Sequence, residues 1–111
     1  MKVIADFCVV PITGRVSVRA EVKRAHQILV DTGLPTNLHA YGTNIEGEFD
    51  VVFAALKRIH EELHAAGVQR ISTTIRVGSR IDKEQGIADK LEAIRGPAPK
   101  SAAPKKSRRA R

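Results

Sequence analysis

Apolar residues recur along the chain with two different periods, every second position in some segments and every third or fourth position in others. The opening segment, residues 3–10, is apolar at both alternating sets of positions and is followed by Pro11. This pattern predicts a strand that is covered on both faces of its sheet and that ends at the proline. Asp6 is the exception, because a carboxylate in a mostly apolar strand costs free energy unless it finds a donor.

Two amphipathic helices are predicted, each opened by a short polar side chain and closed by a glycine. Ser17 and Asp50 are the candidate N-caps, and Gly33 and Gly67 are the candidate stops. The apolar stripe of the first helix consists of Val18, Val22, Ala25 and Leu29. That of the second helix consists of Val52, Leu56, Ile59, Leu63 and Ala66.

Three further segments alternate with period two and predict short strands at residues 37–41, 45–48 and 71–77. Gly42, between the first two of these segments, is expected to take a positive φ in a tight turn. A last segment, residues 83–95, has apolar residues at helical spacing and predicts a short extra helix.

The resulting order of strands (β) and helices (α) is βαββαβ, which predicts an α+β fold. Because strand–helix–strand crossovers are right-handed, both main helices should cover one face of a four-stranded antiparallel sheet in the order 4-1-3-2. This is the ferredoxin-like arrangement, and the short C-terminal helix is an addition to it.

The opposite face of the predicted sheet, called here the open face, mixes apolar and polar side chains. Its predicted members are Ile4, Asp6, Cys8, Val10, His39, Tyr41, Glu46, Glu48, Ser72, Thr74 and Arg76. Asp6 is expected to lie between Glu46 on one flank and Thr74 or Arg76 on the other. A hairpin followed by a capped helix explains Gly42 and Asp50 but gives Glu46 no structural role. A half-apolar face of this kind favours a subunit interface that encloses polar groups.

The length of 111 residues and the charge distribution predict one domain, residues 1–96, and a basic tail, residues 97–111. The formal net charge is +7, of which the tail carries +6 because it has six basic residues and no acid. With three prolines and no large apolar residue, the tail is expected to be disordered. It is expected either to touch polyanions non-specifically or to act only as a solubilising extension.

The single cysteine, Cys8, excludes an internal disulfide and a cysteine-based zinc site, and it fits a reducing compartment. No apolar run approaches the roughly 20 residues of a membrane-spanning helix, and the first residues lack the apolar core of a signal peptide. The expected location is therefore the cytoplasm. His60 and His64 stand one helical turn apart, but a solvated helix flank explains them better than a metal site, since no third ligand has a fitting spacing.

Several segments, in order, resemble the small thiamine-binding family of ferredoxin-like proteins. They are Val9-Val10-Pro11, Ser17-Val18, residues 38–43 (LHAYGT), residues 45–48 (IEGE), residues 73–75 (TTI) and residues 80–83 (RIDK). The resemblance covers residues 2 to about 95 and leaves out the basic tail. It implies a homotetramer or dimer of dimers built by pairing sheets, with thiamine or its pyrimidine portion bound and with no known reaction. Apart from this ligand, no cofactor and no metal are expected.

The family and the open face together nominate candidate ligand-binding residues, and no catalytic residue. They are Asp6, Ser17, His39, Tyr41, Thr43, Glu46 and Thr74. The carboxylates suit the thiazolium charge or the amino group of thiamine, the hydroxyls suit neutral hydrogen bonds, and the rings offer flat surfaces. Glu46, in the most family-like segment, is expected to be the required carboxylate.

Two other classes of function use the same fold. An oligomeric ferredoxin-like enzyme of unknown reaction would show turnover, whereas a binding protein would show only saturation. A nucleic-acid-binding module is less favoured, because it needs aromatic residues on the central strands where this chain has Glu46 and Glu48.

Overall fold

A computed structural model describes residues 1–96, and the predicted tail lies outside the described residues. The elements are β1 (Lys2–Ile12), α1 (Arg19–Asp31), β2 (Thr36–His39), β3 (Gly42–Glu48), α2 (Phe49–Ala65), β4 (Arg70–Ser79) and α3 (Ile87–Arg95). The strands form one antiparallel sheet in the order β2-β3-β1-β4, which is the predicted order read from the other edge. The α+β, ferredoxin-like arrangement is therefore confirmed. Among these helices none is long and apolar enough to cross a membrane.

The hydrophobic core lies between the sheet and the helices α1 and α2. Alternate residues of β1 point into it, and the ring of Phe7 meets that of Phe53 edge-on at a centroid distance of 6.2 Å. The largest fully buried side chains are Val3, Phe7, Ile28, Leu29, Ile45, Val52, Ile59 and Leu63. These side chains come from β1, β3, α1 and α2, and all but Phe7 are aliphatic. Within α1, however, Val22 is 41% exposed and Ile28 is buried in its place.

Both predicted helix caps are wrong, although both predicted stops are confirmed. Val18 and Glu48 are the N-cap residues of α1 and α2, and neither makes a side-chain cap hydrogen bond. Ser17 lies one residue before the N-cap of α1. Asp50 lies in the first turn of α2, where its negative charge interacts favourably with the helix dipole. Gly33 and Gly67 follow the helices with φ values of 76° and 102°.

Gly42 is required for close approach and not for a turn conformation. Its φ is not positive, because the described glycines with positive φ are at positions 14, 33 and 67. A Cβ at Gly42 would instead overlap the backbone carbonyl oxygen of Phe7 on the neighbouring strand. The predicted turn role of Gly42 is therefore wrong, and the β2–β3 turn falls at residues 40 and 41.

Strand β1 continues beyond its predicted end and beyond its partner β3. Residues 2–7 pair with β3, whereas pairing with β4 continues to Ile12. Pro11 lies inside this extension, although a proline was expected to end the strand. A proline is tolerated here because residues 8–12 have no described strand on the β3 side, so a missing N–H breaks no ladder on that edge.

Candidate functional site

Asp6 is the centre of a polar cluster on the open face. His39 Nε2 lies 2.5 Å from Asp6 Oδ1, and Asn44 Nδ2 donates to the same oxygen at 3.1 Å. Arg76 Nη2 donates to Asp6 Oδ2 at 3.3 Å. The three partners come from β2, β3 and β4, so the sheet itself assembles the cluster around β1. The carboxylate in a central strand thus finds the donors that its burial requires.

The register of the sheet explains which neighbours Asp6 has. Asp6 stands directly opposite Asn44 on β3 and Arg76 on β4. Arg76 was expected on this flank, and that expectation is confirmed. Glu46 instead stands opposite Ile4, two residues along β1 from Asp6. The expectation that Glu46 would flank Asp6 is therefore wrong: Asn44 takes that place, and Glu46 is the next residue of β3 on the open face.

The electrostatics of the cluster favour an ionised Asp6. Burial raises the pKa of the Asp6 carboxyl, but the hydrogen bonds and charges of His39 and Arg76 outweigh it and hold this pKa below its ordinary value. The side chain of Asp6 is 18% exposed. The cluster therefore presents a permanent carboxylate charge at neutral pH, held in place by three donors.

Glu46 has a structural role that the sequence analysis did not find. Its Oε1 accepts a hydrogen bond of 3.0 Å from the backbone N–H of Ile87, the first residue of α3. Its Oε2 lies 3.9 Å from Lys2 Nζ, and a Cβ on Gly86 would overlap the same carboxylate. Glu46 is only 7% exposed. A carboxylate at a helix N-terminus is stabilising, so Glu46 holds α3 against the open face.

The docked helix α3 turns part of the open face into a cleft, called here the α3 cleft. The strands β1, β3 and β4 form one side of it, and α3 with the loop before it forms the other. Its volume is about 770 Å³. The charged or polar residues that line it are Lys2, Asp6, Asn44, Arg76, Ser79, Arg80, Glu84, Gln85 and Lys90. The Asp6 cluster thus opens into a cavity, whereas the carboxylate of Glu46 is committed to α3.

The predicted ligand-binding residues divide between two sides of the sheet. Asp6, His39, Glu46 and Thr74 share the open face, as their register shows. Thr43 lies on the helix side, is 5% exposed and sits 3.0 Å from His26 Nδ1 through its hydroxyl. The structure therefore does not bring all seven residues together.

The other two predicted residues lie at the periphery. Tyr41 is in the β2–β3 turn and is 83% exposed, while Ser17 is exposed in the loop before α1. Tyr41, Thr43 and His39 line a second, smaller cavity of about 290 Å³ beside α1, which is mostly apolar. Ser17 lines neither this cavity nor the α3 cleft.

Asn44 is the clearest functional candidate that sequence reasoning missed. It stands two residues before Glu46 in β3, so the alternation of the strand alone places both on the open face. Its contact with Asp6 depends on the register of β1 and β3, which the sequence does not reveal. The histidines of α2 are each bonded separately, His60 to the Thr73 hydroxyl at 2.8 Å and His64 to the Val68 carbonyl at 2.6 Å.

Comparison with known proteins identifies relatives along most of the chain. The model of a family described as thiamine-binding protein matches residues 5–95. A UPF0045 protein of Synechocystis sp. is 46% identical over 94 residues, which cover 85% of this chain and 78% of the relative. A UPF0045 protein of Eremothecium gossypii is 35% identical over 92 residues, which cover 82% of this chain and 88% of the relative.

Solved structures show the same fold. A hypothetical protein from Methanocaldococcus jannaschii superimposes with a TM-score of 0.77 at 32% identity, covering 84% of this chain and 95% of the other. A Thermotoga maritima protein, to which a role in thiamine biosynthesis or salvage has been provisionally ascribed, superimposes with a TM-score of 0.75. It is 20% identical and covers 86% of this chain and 100% of its own, so it shows the fold alone. On the family match and these identities, the chain belongs to the thiamine-binding protein family.

Proposed function

We propose that the protein binds thiamine or its pyrimidine portion in the α3 cleft, without chemical turnover, as a homo-oligomer. The observation that carries the proposal is the carboxylate of Asp6, which is kept ionised by neighbouring donors and opens into a cavity. The volume of about 770 Å³ falls within the roughly 300–1,000 Å³ of small-molecule sites. Family membership supports a thiamine-like ligand in particular.

The chemistry of the cleft matches the two charged and polar parts of thiamine. The thiazolium ring carries a permanent positive charge, which a nearby carboxylate stabilises, and Asp6 supplies that carboxylate. The aminopyrimidine presents adjacent donors and acceptors, which the amide of Asn44 in the cleft lining can match. Asn44 shares the open face with Asp6, whereas Thr74 shares that face but does not line the cleft.

Glu46 remains part of the proposed site, but its role changes from binding the ligand to positioning α3. It was expected to be the required carboxylate, yet its oxygens face the N-terminus of α3 and Lys2. In our proposal Asp6 meets the ligand directly, and Glu46 positions the α3 wall of the cleft. Loss of Glu46 should therefore weaken binding by loosening α3.

Binding without turnover agrees with the state of Asp6. A general acid or base works best when its pKa lies near the operating pH. The pKa of Asp6 is instead lowered from a value that is already acidic, by the hydrogen bonds of His39 and Arg76 acting against burial. Such a group is suited to holding a cation and poorly suited to exchanging a proton at neutral pH.

Titration calorimetry with thiamine tests the proposal. Asp6→Asn removes the negative charge beside the thiazolium and should lower the affinity by about 10- to 150-fold, or about 1.5–3 kcal/mol of charge attraction. Glu61→Gln is the control, because Glu61 is an exposed acid of α2 on the other side of the sheet. The proposal is wrong if wild type binds no thiamine at millimolar ligand, or if Asp6→Asn binds as wild type does.

A further inference from the structure

We propose that the α3 cleft takes a phosphate ester of its organic cation in preference to the free alcohol, with the phosphate held by Arg76 and Lys90. This inference rests on the proposed function, because it names the form of ligand that the same cleft selects. It follows from the hydrogen-bonding groups that the cleft leaves unused.

Arg76 has most of its donors free. Its side chain is 83% exposed, and its one hydrogen bond within residues 1–96 is the 3.3 Å contact with Asp6 Oδ2. A guanidinium carries several N–H groups in a planar fork that matches the oxygens of a phosphate. Arg76 can therefore keep its bond to Asp6 and still donate to a phosphate beside it.

Lys90 supplies a second cation from the opposite wall. It is exposed on α3, lines the cleft, and makes no ion pair among the described residues. The α3 wall is fixed to the sheet by the Glu46–Ile87 hydrogen bond. The cleft thus presents one cation from β4 and one from α3, on either side of the same opening.

The other two cations of the cleft already have partners. Arg80 donates to Asp82 through Nε at 2.6 Å and to Gln85 at 2.7 Å, and Lys2 lies 3.9 Å from Glu46. Each of these cations already lies beside a carboxylate of its own, so neither is assigned to the phosphate.

Among the acids of the cleft, Asp6 already accepts bonds from three donors, so its acceptors are largely used. Glu84 is the one lining acid without an ion pair in the described part of the chain. A ligand that enters therefore meets more unused donors than unused acceptors. A thiazolium cation alone would satisfy Asp6 but would leave Arg76 and Lys90 facing a positive charge. A phosphate on the same ligand removes that repulsion and uses the free donors.

The test is titration calorimetry of the full chain with thiamine, thiamine monophosphate and thiamine diphosphate at low ionic strength. We expect the esters to bind at least about 10-fold more tightly than thiamine, with an advantage that shrinks as salt is raised. Lys90→Gln should lower ester affinity by about 3- to 10-fold and leave thiamine affinity unchanged, since exposed ion pairs are modest in strength. Glu84→Gln should shift ester affinity in the opposite direction.

Lys57→Gln is the matched control, because Lys57 is exposed on α2 on the far side of the sheet. Equal affinity for thiamine and its esters, or an equal effect of Lys90→Gln on both, overturns the phosphate inference and leaves the proposed function standing. Binding of neither thiamine nor its esters overturns the proposed function itself. Inorganic diphosphate that binds as tightly as the ester overturns the inference as well, because the organic cation would then contribute nothing.

Discussion

The carboxylate of Glu46, in the third strand, accepts the backbone N–H of Ile87, the residue that opens the last helix, at 3.0 Å. A second carboxylate acts at the same helix start, since Asp89 accepts the N–H of Gly86 at 2.8 Å. The first N–H groups of any α-helix lack partners within the helix. Here the Gly86 N–H is bonded by Asp89 of α3 itself, and the Ile87 N–H is bonded by Glu46 of the sheet. The position of α3, and with it the cleft, therefore depends in part on a side chain of β3.

We expect Glu46→Ala to release α3 from the open face. The substitution leaves the Ile87 N–H without its acceptor, which should cost about 1–3 kcal/mol of α3 docking free energy. Glu46→Gln retains an acceptor and should cost less. Amide hydrogen exchange followed by mass spectrometry should show faster exchange in residues 87–95, with Glu61→Ala as the control. Unchanged exchange there in Glu46→Ala would refute the role assigned to this carboxylate.

The close approach of Gly42 to Phe7 gives a prediction about stability. Gly42→Ala should lower the free energy of unfolding by about 2–3 kcal/mol, because the added Cβ overlaps a backbone carbonyl that cannot move without disturbing the β1–β3 ladder. Gly78→Ala is the control, since a Cβ there meets nothing within 4 Å. Urea denaturation of both variants decides the matter. Similar midpoints for the two would mean that the strands can separate at little cost.

The fold was predictable because its signals are local. The stripe of α2 and the alternation of β4 each arise within a single element, and chirality then leaves few ways to connect βαββαβ. The errors concern positions whose structural role is determined by an element that is distant in the sequence. Nothing near Gly42 in sequence reveals the Phe7 carbonyl, and nothing near Pro11 reveals that β3 has already ended.

The site was predictable only in part, for the same physical reason. Asp6 stands out locally as a carboxylate in an apolar strand, and Arg76 follows from the neighbouring strand. The bond between Glu46 and Ile87 joins residues 41 positions apart, and its partner is a backbone N–H that every residue but proline carries. No residue type marks such a contact. The sequence could therefore single out Glu46 as unusual without indicating what it holds.

Acid should weaken the contribution of Asp6 to stability. Because the pKa of Asp6 is lower in the folded protein than its ordinary value, the folded state binds fewer protons than the unfolded state. The contribution is fully present above the unfolded pKa of about 3.9 and is lost as the pH falls through the lower folded pKa. The difference in unfolding free energy between wild type and Asp6→Asn should thus shrink as the pH falls from about 5 to about 3. Urea denaturation across this range measures it, and a difference that does not change with pH would contradict the assignment.

Self-association is expected from the surface that the monomer leaves uncovered. Val10 in the extension of β1 is 45% exposed and Leu38 of β2 is 61% exposed, and both line the smaller cavity beside α1. Exposed apolar groups gathered in one region favour a subunit contact. Sedimentation velocity at micromolar concentration should show an oligomer, with the tetramer as the expected species. A sample that sediments entirely as monomer would rule this out.

The extension of β1 past β3 also limits how such an assembly can grow. Backbone groups alternate between the two edges of a strand, and the Phe7 carbonyl faces the β3 edge, so the Pro11 position faces that edge too, where the described partner strand has ended. An unpaired strand edge is a template on which further chains can add without limit, as they do in fibrils. Proline offers that template no N–H, so the row of backbone donors on this edge is interrupted at Pro11. We therefore expect Pro11 to hinder the addition of further strands at this edge, while the exposed side chains of Val10 and Ile12 stay available for a closed subunit contact.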